Sequence, residues 1–301
     1  MNILTFGEPL LINYLSTSKI ESNCESFFSL GGSEINTGIA LSSLNNNVYL
    51  LSVFPNNELG NGFIEVLKEK GIKTDYIMKS AEELIGSMYV KDNSVIYQRK
   101  HSAFSFIKNI EIDSIFITNY AWIHLTGITP SLNNNCRIEW EKIINKSLDL
   151  KIPVSLDLNY RPGLCKLCDL WDIVKLYVNR VELLVLSRKD MIEICQIENI
   201  KDRFTIENMM LKLVDKLNIR RLVICIKDIL EDKSQNRYSL MVFKNVLYKS
   251  KKKNHKPKEY IGGGDAYIAS LIDGILKQKK DILDEADTYT IINQEKKGNF
   301  V

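Results

Sequence analysis

The sequence has almost no imbalance of charge: 40 Lys and Arg stand against 37 Asp and Glu in 301 residues, a net charge of +3. So small an excess gives no reason to expect a nucleic-acid partner. Glycine and proline number only 15 and 6, too few for a repetitive or disordered chain. No run of about 18 uncharged apolar residues occurs, so no membrane-spanning helix is expected. The apolar start is broken by Gly7, Glu8 and Pro9 and lacks a basic lead-in, unlike a secretory signal. Histidine is scarce, and His101, His124 and His255 are scattered, so no His/Cys cluster offers a transition-metal site. Among the six cysteines only Cys165 and Cys168 are close, as C-K-L-C. A structural zinc site needs a second such pair, which leaves a redox pair or two ordinary thiols. The expectation is a reduced, cytoplasmic protein.

What is present is a globular composition, 45% hydrophobic and 26% charged, long enough for one large α/β domain or two ordinary ones. Short apolar runs alternate with helical patterns. N-I-L-T-F near the start, 48–54, 122–127, 153–159, 182–187 and 221–226 are expected as strands. Helices are expected at 34–44, 59–70, 133–150, near Trp171, from Arg188, and at 205–217. Fully apolar strands separated by helices imply a parallel sheet covered on both faces. Two segments break the rhythm. Residues 85–100 form two short strand patterns around a D-N-S turn, and 8–15 and 26–30 are strand-like with no helix between them. These are expected to make a small second sheet. The basic stretch K-S-K-K-K-N-H-K-P-K (249–258) is expected as a solvated loop, with an anion-binding arm as the alternative.

The sharpest chemical signal is Y-I-G-G-G-D-A-Y-I-A-S-L-I-D-G-I-L (260–276). Three glycines let a backbone approach a ligand, and the helix that follows offers free N–H groups and its positive dipole end. That is a phosphate-type anion hole. A carboxylate at the same place would repel a phosphate, unless Asp265 accepts the proton of a hydroxyl that attacks it. The alternative is a turn with an N-cap aspartate. A second glycine pair opens G-G-S-E-I-N-T-G (31–38), where Ser33, Glu34 and Asn36 could meet sugar hydroxyls; the alternative is a plain strand-to-helix turn.

The two motifs together resemble those of the PfkB, or ribokinase-like, carbohydrate kinases. The first signature is similar to G-G-S-E-I-N-T-G-I-A-L-S-S-L with F-P-N-N-E-L-G-N-G-F (54–63), the second to E-Y-I-G-G-G-D-A-Y (259–267). F-G-E-P-L, V-I-Y-Q-R-K-H-S-A (95–103), H-L-T-G-I-T-P-S-L (124–132) and S-L-D-L-N-Y-R-P (155–162) are most similar to 2-keto-3-deoxygluconate kinases, and fructokinases share several of these. The resemblance spans nearly the whole chain. It implies a single α/β domain over 1–301: a Rossmann-like parallel sheet with helices on both faces, plus a β-sheet lid from about 8–31 and 85–104. It implies transfer of the γ-phosphoryl group of ATP, with Mg²⁺, to a sugar or sugar-acid hydroxyl. Asp265 matches the catalytic base and Gly262, Gly263 and Gly264 the anion hole. Gly32 and Asn36 match substrate contacts, as do the lid residues Tyr97 and Arg99 and the core residue Arg161. A further lid tyrosine falls at Met88 or Tyr89, depending on a one-residue shift, and Tyr89 is the expected contact. The resemblance also suggests a homodimer through the lids.

The chain departs from the family's pattern on the nucleotide side. The family's Asn-x-x-Glu is S-R-K-D (187–190), so Ser187 replaces the amide and Asp190 carries the carboxylate expected near magnesium. After strand 221–226 the expected glycine turn is I-K-D-I-L-E-D, with Lys227 placed to meet a phosphate. The stretch 289–301 resembles the family's penultimate segment, in the region where the family builds its adenine pocket. Three functions remain: a keto-deoxy sugar-acid kinase, a fructokinase or other sugar kinase of the same fold, and a sugar-acid-binding relative without turnover.

Overall fold

The computed structural model describes residues 1–15, 26–81, 84–91, 94–200, 205–258 and 261–295. The chain opens with β1 (Asn2–Phe6), β2 (Leu10–Leu15), β3 (Ser26–Gly31), α1 (Ser33–Ser43), β4 (Asn47–Pro55) and α2 (Glu58–Glu69). Short β5 (Ile72–Lys73) and β6 (Ile77–Ser80) precede β7 (Gly86–Lys91) and β8 (Ser94–Gln98). Then come α3 (Ile112–Ile115), β9 (Trp122–Thr126), α4 (Ile128–Leu132), α5 (Asn134–Asp149), β10 (Val154–Asp157) and α6 (Leu167–Val174). They are followed by β11 (Leu183–Ser187), α7 (Arg188–Ile197), α8 (Ile206–Leu217), β12 (Arg221–Ile229) and β13 (Gln235–Phe243). The last elements are β14 (Val246–Lys249), β15 (Lys253–His255), α9 (Gly263–Leu276) and α10 (Ile282–Glu295).

The main sheet runs β14-β13-β12-β11-β10-β9-β1-β4-β5, with β6 beside β4 and β15 beside β13. Its central strands are apolar on both sides because both faces are covered. On β1, Leu4 and Phe6 enter one core layer with Trp140 and Trp171, while Ile3 enters the other with Ile35 and Leu271. Pairing is parallel from β4 through β12, as expected for strands joined by helices. At the far edge the sheet is mixed. β12 runs on to Ile229 and β13 returns antiparallel from Gln235, so Lys227 lies opposite Arg237. The sequence reading did not anticipate this return strand.

The basic stretch 249–258 also differs from its expectation as a loop. Lys249 ends β14, Lys253–His255 form β15 on β13, and the Lys253 ammonium donates to the carbonyl and carboxylate of Asp284 on α10. The second sheet is present, ordered β3-β2-β7-β8, with β2 and β7 parallel between two antiparallel pairs. Its Asp92 and Asn93 turn lies outside the described residues. Among the described residues no helix is long and apolar enough to cross a membrane.

Helix starts divide into two kinds. Asn57, Asn133, Ser187 and Thr205 cap α2, α5, α7 and α8 by accepting from a backbone N–H three residues on. α1 and α9, like α3, α4 and α6, have no side-chain cap; they begin at Gly32 and Gly262, which leaves N–H groups of their first turns open. Those two open ends face the same place.

Candidate active site

The carboxyl ends of β10, β11 and β12 and the glycine starts of α1 and α9 converge on two adjoining cavities, the position where open α/β sheets bind ligands. One, of about 350 Å³, lies under the lid. The other, of about 530 Å³, lies over β11 and β12. Asp157, Asn159, Arg161, Lys227 and Gly264 line both and so mark the junction.

Asp265 stands next to Gly264 on the lid-cavity side of that junction, in the first turn of α9. Its Oδ1 accepts from Ser33 Oγ at 2.7 Å and its Oδ2 from Asn36 Nδ2 at 2.8 Å. Ser33 Oγ in turn accepts from Asn159 Nδ2 at 2.7 Å. Burial pushes the Asp265 carboxyl pKa above its ordinary value, against the opposing pull of those hydrogen bonds and of the Arg161 and Lys227 charges. A carboxylate that is fixed, partly desolvated and more basic than usual is suited to take a proton. Asn36, expected to contact substrate, lines the cavity under the lid and also holds Asp265 through its amide N–H.

The three glycines have different tasks. Gly262 has φ +75, in the left-handed region, and turns the chain into α9. A Cβ on Gly263 would lie 2.5 Å from Gln294 Nε2, so this glycine permits close packing against α10 and does not line the cavities. Gly264 faces both cavities with open space in front of it. Gly32, at φ +123, brings the start of α1 to where a Cβ would meet the Glu8 carbonyl oxygen at 2.3 Å.

On the lid, the register settles the tyrosine question. Ile12, Met88 and Tyr97 stand opposite one another and face the cavity. Tyr89 pairs with Asn13 and Ile96 on the other face and does not line the cavity. Successive strand residues point to opposite faces, so the one-residue ambiguity is resolved in favour of Met88. Tyr97 and Arg99 are both at the cavity, with the guanidinium 4.7 Å from the Tyr97 ring centre.

Arg99 is not a free cation. Its Nη1 donates to Glu8 Oε2 at 3.2 Å, and Ser102 Oγ donates to Glu8 Oε1 at 2.7 Å, with both charged side chains nearly enclosed. Burial raises the Glu8 pKa while Arg99 opposes the rise. Glu8 was not singled out from the sequence, because its partners lie 91 and 94 residues away. Arg161, by contrast, is exposed, and its side chain makes no hydrogen bond or ion pair with a described residue; it acts on Asp157 and Asp265 by charge alone.

Glu34 points away from the cavities, not toward a sugar. It accepts from Thr126 Oγ1 at 2.6 Å and Thr129 Oγ1 at 3.2 Å, and burial raises its pKa to about 7. In the S-R-K-D segment, Ser187 caps α7 by accepting from the Asp190 N–H at 3.0 Å. Both residues line the cavity over β11, as does Lys227. Asp157, also missed in the sequence reading, is pushed up to about 7 by burial and by the Asp265 charge, with Arg161 opposing. The D-x-N-x-R spacing of Asp157, Asn159 and Arg161 was the available signal: three alternate residues leaving one strand end.

The acid limb of activity follows from these groups. A protonated Asp265 cannot accept a proton, so kcat/KM should rise with pH across a midpoint above the ordinary aspartate value. Asp157 is held protonated up to about pH 7 and sets no negative charge against Asp265 where Asp265 titrates, so Asp157→Asn should leave that limb in place. A pH–rate profile checks both, and a limb that moves in Asp157→Asn would show that the two carboxyls titrate as a coupled pair.

Residues 18–224 match the pfkB family carbohydrate kinases. A curated relative, the 2-dehydro-3-deoxygalactonokinase of Haloferax volcanii, is 22% identical over 281 residues, covering 91% of this chain and 84% of the relative. The 2-dehydro-3-deoxygluconokinase of Bacillus subtilis is 26% identical over 171 residues, 54% of this chain and 53% of that protein. The solved structure of 2-dehydro-3-deoxygluconokinase from Thermotoga maritima superposes with a TM-score of 0.90 at 23% identity, covering 100% of this chain and 96% of that one. The fold is ribokinase-like. The chain belongs to the pfkB family carbohydrate kinases, and its class is that of an ATP-using sugar kinase.

Proposed function

We propose that this pfkB family carbohydrate kinase transfers the γ-phosphoryl group of ATP to 2-keto-3-deoxygluconate, giving the 6-phosphate. The observation that carries the acid substrate is Arg161, a guanidinium without a partner among the described residues, facing the cavity that Asp265 serves. A planar fork matches a carboxylate with two parallel hydrogen bonds, and a neutral hexose has no use for a second cation beside Arg99. The names of the relatives, both kinases of 2-dehydro-3-deoxy sugar acids, point the same way.

The lid wall of Leu10, Met88 and Tyr97 covers the apolar side of the acceptor and excludes water. Arg99, oriented by Glu8, and Arg161 approach its carboxylate from lid and core. Asp265, held by Ser33 and Asn36, takes the proton of the acceptor hydroxyl as it attacks. The open N–H groups of α9 and the Lys227 ammonium receive the negative charge on the phosphate oxygens. Asp157 and Asp190 both line the donor-side cavity, a donor set that fits magnesium carried in on phosphate oxygens and water. When bound, the ion would neutralise charge between the β- and γ-phosphates.

The experiment is a coupled ADP-release assay over a panel of sugars and sugar acids. Turnover of fructose without turnover of the keto-deoxy acid would assign the protein to the fructokinase reading. A ligand-induced melting shift with no turnover of any compound would assign it to a binding protein.

We further propose that a second copy of the chain docks on the lid. Phe28, Tyr89 and Ile96 share the outer face across three strands and are all exposed, Phe28 and Ile96 by 61% and 67%. Sedimentation should show a dimer at micromolar concentration and a monomer for Phe28→Lys with Ile96→Lys. A wild-type monomer would refute this assembly.

A further inference from the structure

The donor-side cavity has a floor that the sequence reading did not foresee. β12 and β13 place Lys227 directly opposite Arg237, and Cys225 opposite Ser239. Arg237 is fully enclosed, and lines the cavity from beneath. Its Nε donates to Asp287 Oδ1 at 2.7 Å, while Ser239 Oγ and Ser250 Oγ donate to the same carboxylate at 2.9 and 2.6 Å. The guanidinium also lies 4.9 Å from the Tyr267 ring centre. This grip comes from the Nε side only. Nη1 and Nη2 are buried without a hydrogen-bond partner among the described residues.

An unpartnered pair of buried guanidinium donors is costly unless something completes it. Here the cost is compounded by a second cation. Crowding in the cleft and the Arg237 charge both push the Lys227 ammonium pKa down, although the side chain itself is solvent-accessible. Asp287 offsets one of the two charges and is used up by Arg237 and two serines. Lys227 lines both cavities, at the junction the transferred group must cross. We infer that Lys227 and the free fork of Arg237 together clamp a phosphate of the nucleotide, opposite the open start of α9. The hairpin that carries Arg237 stands where the family's glycine turn is missing. The inference rests on reading this cleft as the donor site.

The test is calorimetric binding of ADP, inorganic tripolyphosphate and adenosine to wild type, Lys227→Met and Arg237→Lys. The lysine in Arg237→Lys can keep the Asp287 ion pair, and hence the fold, but its single ammonium nitrogen cannot replace the separate Nη1 and Nη2 of the fork. Each variant should weaken ADP and tripolyphosphate by about ten-fold or more, as expected when a charge-assisted contact is removed, with adenosine within about two-fold. Unchanged ADP and tripolyphosphate affinity in Arg237→Lys would overturn the clamp, as would parallel weakening of adenosine. None of the three probes needs a sugar. Wild type that binds ADP and tripolyphosphate but phosphorylates no acceptor would keep the clamp, provided the variants lose affinity, and remove the kinase reading. Wild type that turns over the sugar acid while both variants bind like wild type would do the reverse.

Discussion

Asp265→Asn should lower kcat by about 10²- to 10⁴-fold, the usual worth of a positioned general base. The change is nearly isosteric, so the shape of the α9 start is kept. Only one oxygen remains to accept from Ser33 or Asn36, which both donate to the native carboxylate. Loss of one such bond costs about 1 kcal/mol. Removing a buried negative charge offsets part of that, because burial already raises the Asp265 pKa. Melting temperature and acceptor binding should therefore stay close to wild type while turnover collapses. A variant with near-wild-type kcat would remove Asp265 from the proton transfer. A variant that loses binding as well would make it a positioning residue for the acceptor.

Arg161→Ala should raise KM for the sugar acid by about 10- to 150-fold, the equivalent of about 1.5–3 kcal/mol for a hydrogen bond to a charged group. KM for a neutral analogue should change little, so discrimination between the two falls. Arg161→Lys should land between, since it keeps the charge but not the fork. Arg99→Ala is a different experiment, although the resemblance treats the two arginines alike. Arg99 already neutralises Glu8, and removing it leaves a buried carboxylate without its cation. That variant should lose stability first, read as a lower melting temperature, with a smaller change in acid preference. If both variants leave the acid-to-neutral ratio of kcat/KM untouched, the substrate has no carboxylate or holds it elsewhere.

The contrast between the two arginines shows where sequence reading stops. Both were legible as candidates from V-I-Y-Q-R-K and D-L-N-Y-R-P. That one is paired with Glu8 and the other unpaired depends on which loop lies over which strand end. Glu34 is similar. Its motif suggested a sugar contact, but a helix turn presents neighbouring residues to different sides, and the side that carries Glu34 faces Thr126 and Thr129.

The sequence by itself determined the elements with strong local signals: apolar strands, the helices between them, the glycine pair and the glycine triplet at two helix starts, and the alternating segments of the small sheet. Those signals are short-range, because periodicity and backbone freedom are properties of a few neighbouring residues. It also singled out Asp265 as the candidate base, since a carboxylate inside a phosphate-type glycine turn has few chemical uses. Only the tertiary structure decided which lid residue faces the cavity, because a one-residue shift on a strand exchanges Met88 for Tyr89. Only it revealed β13, whose return alongside β12 brings Arg237 opposite Lys227. And only it joined Arg237 to Asp287, 50 residues further along the chain. Burial and charge pairing are set by residues distant in sequence, and no local pattern encodes which of them will meet.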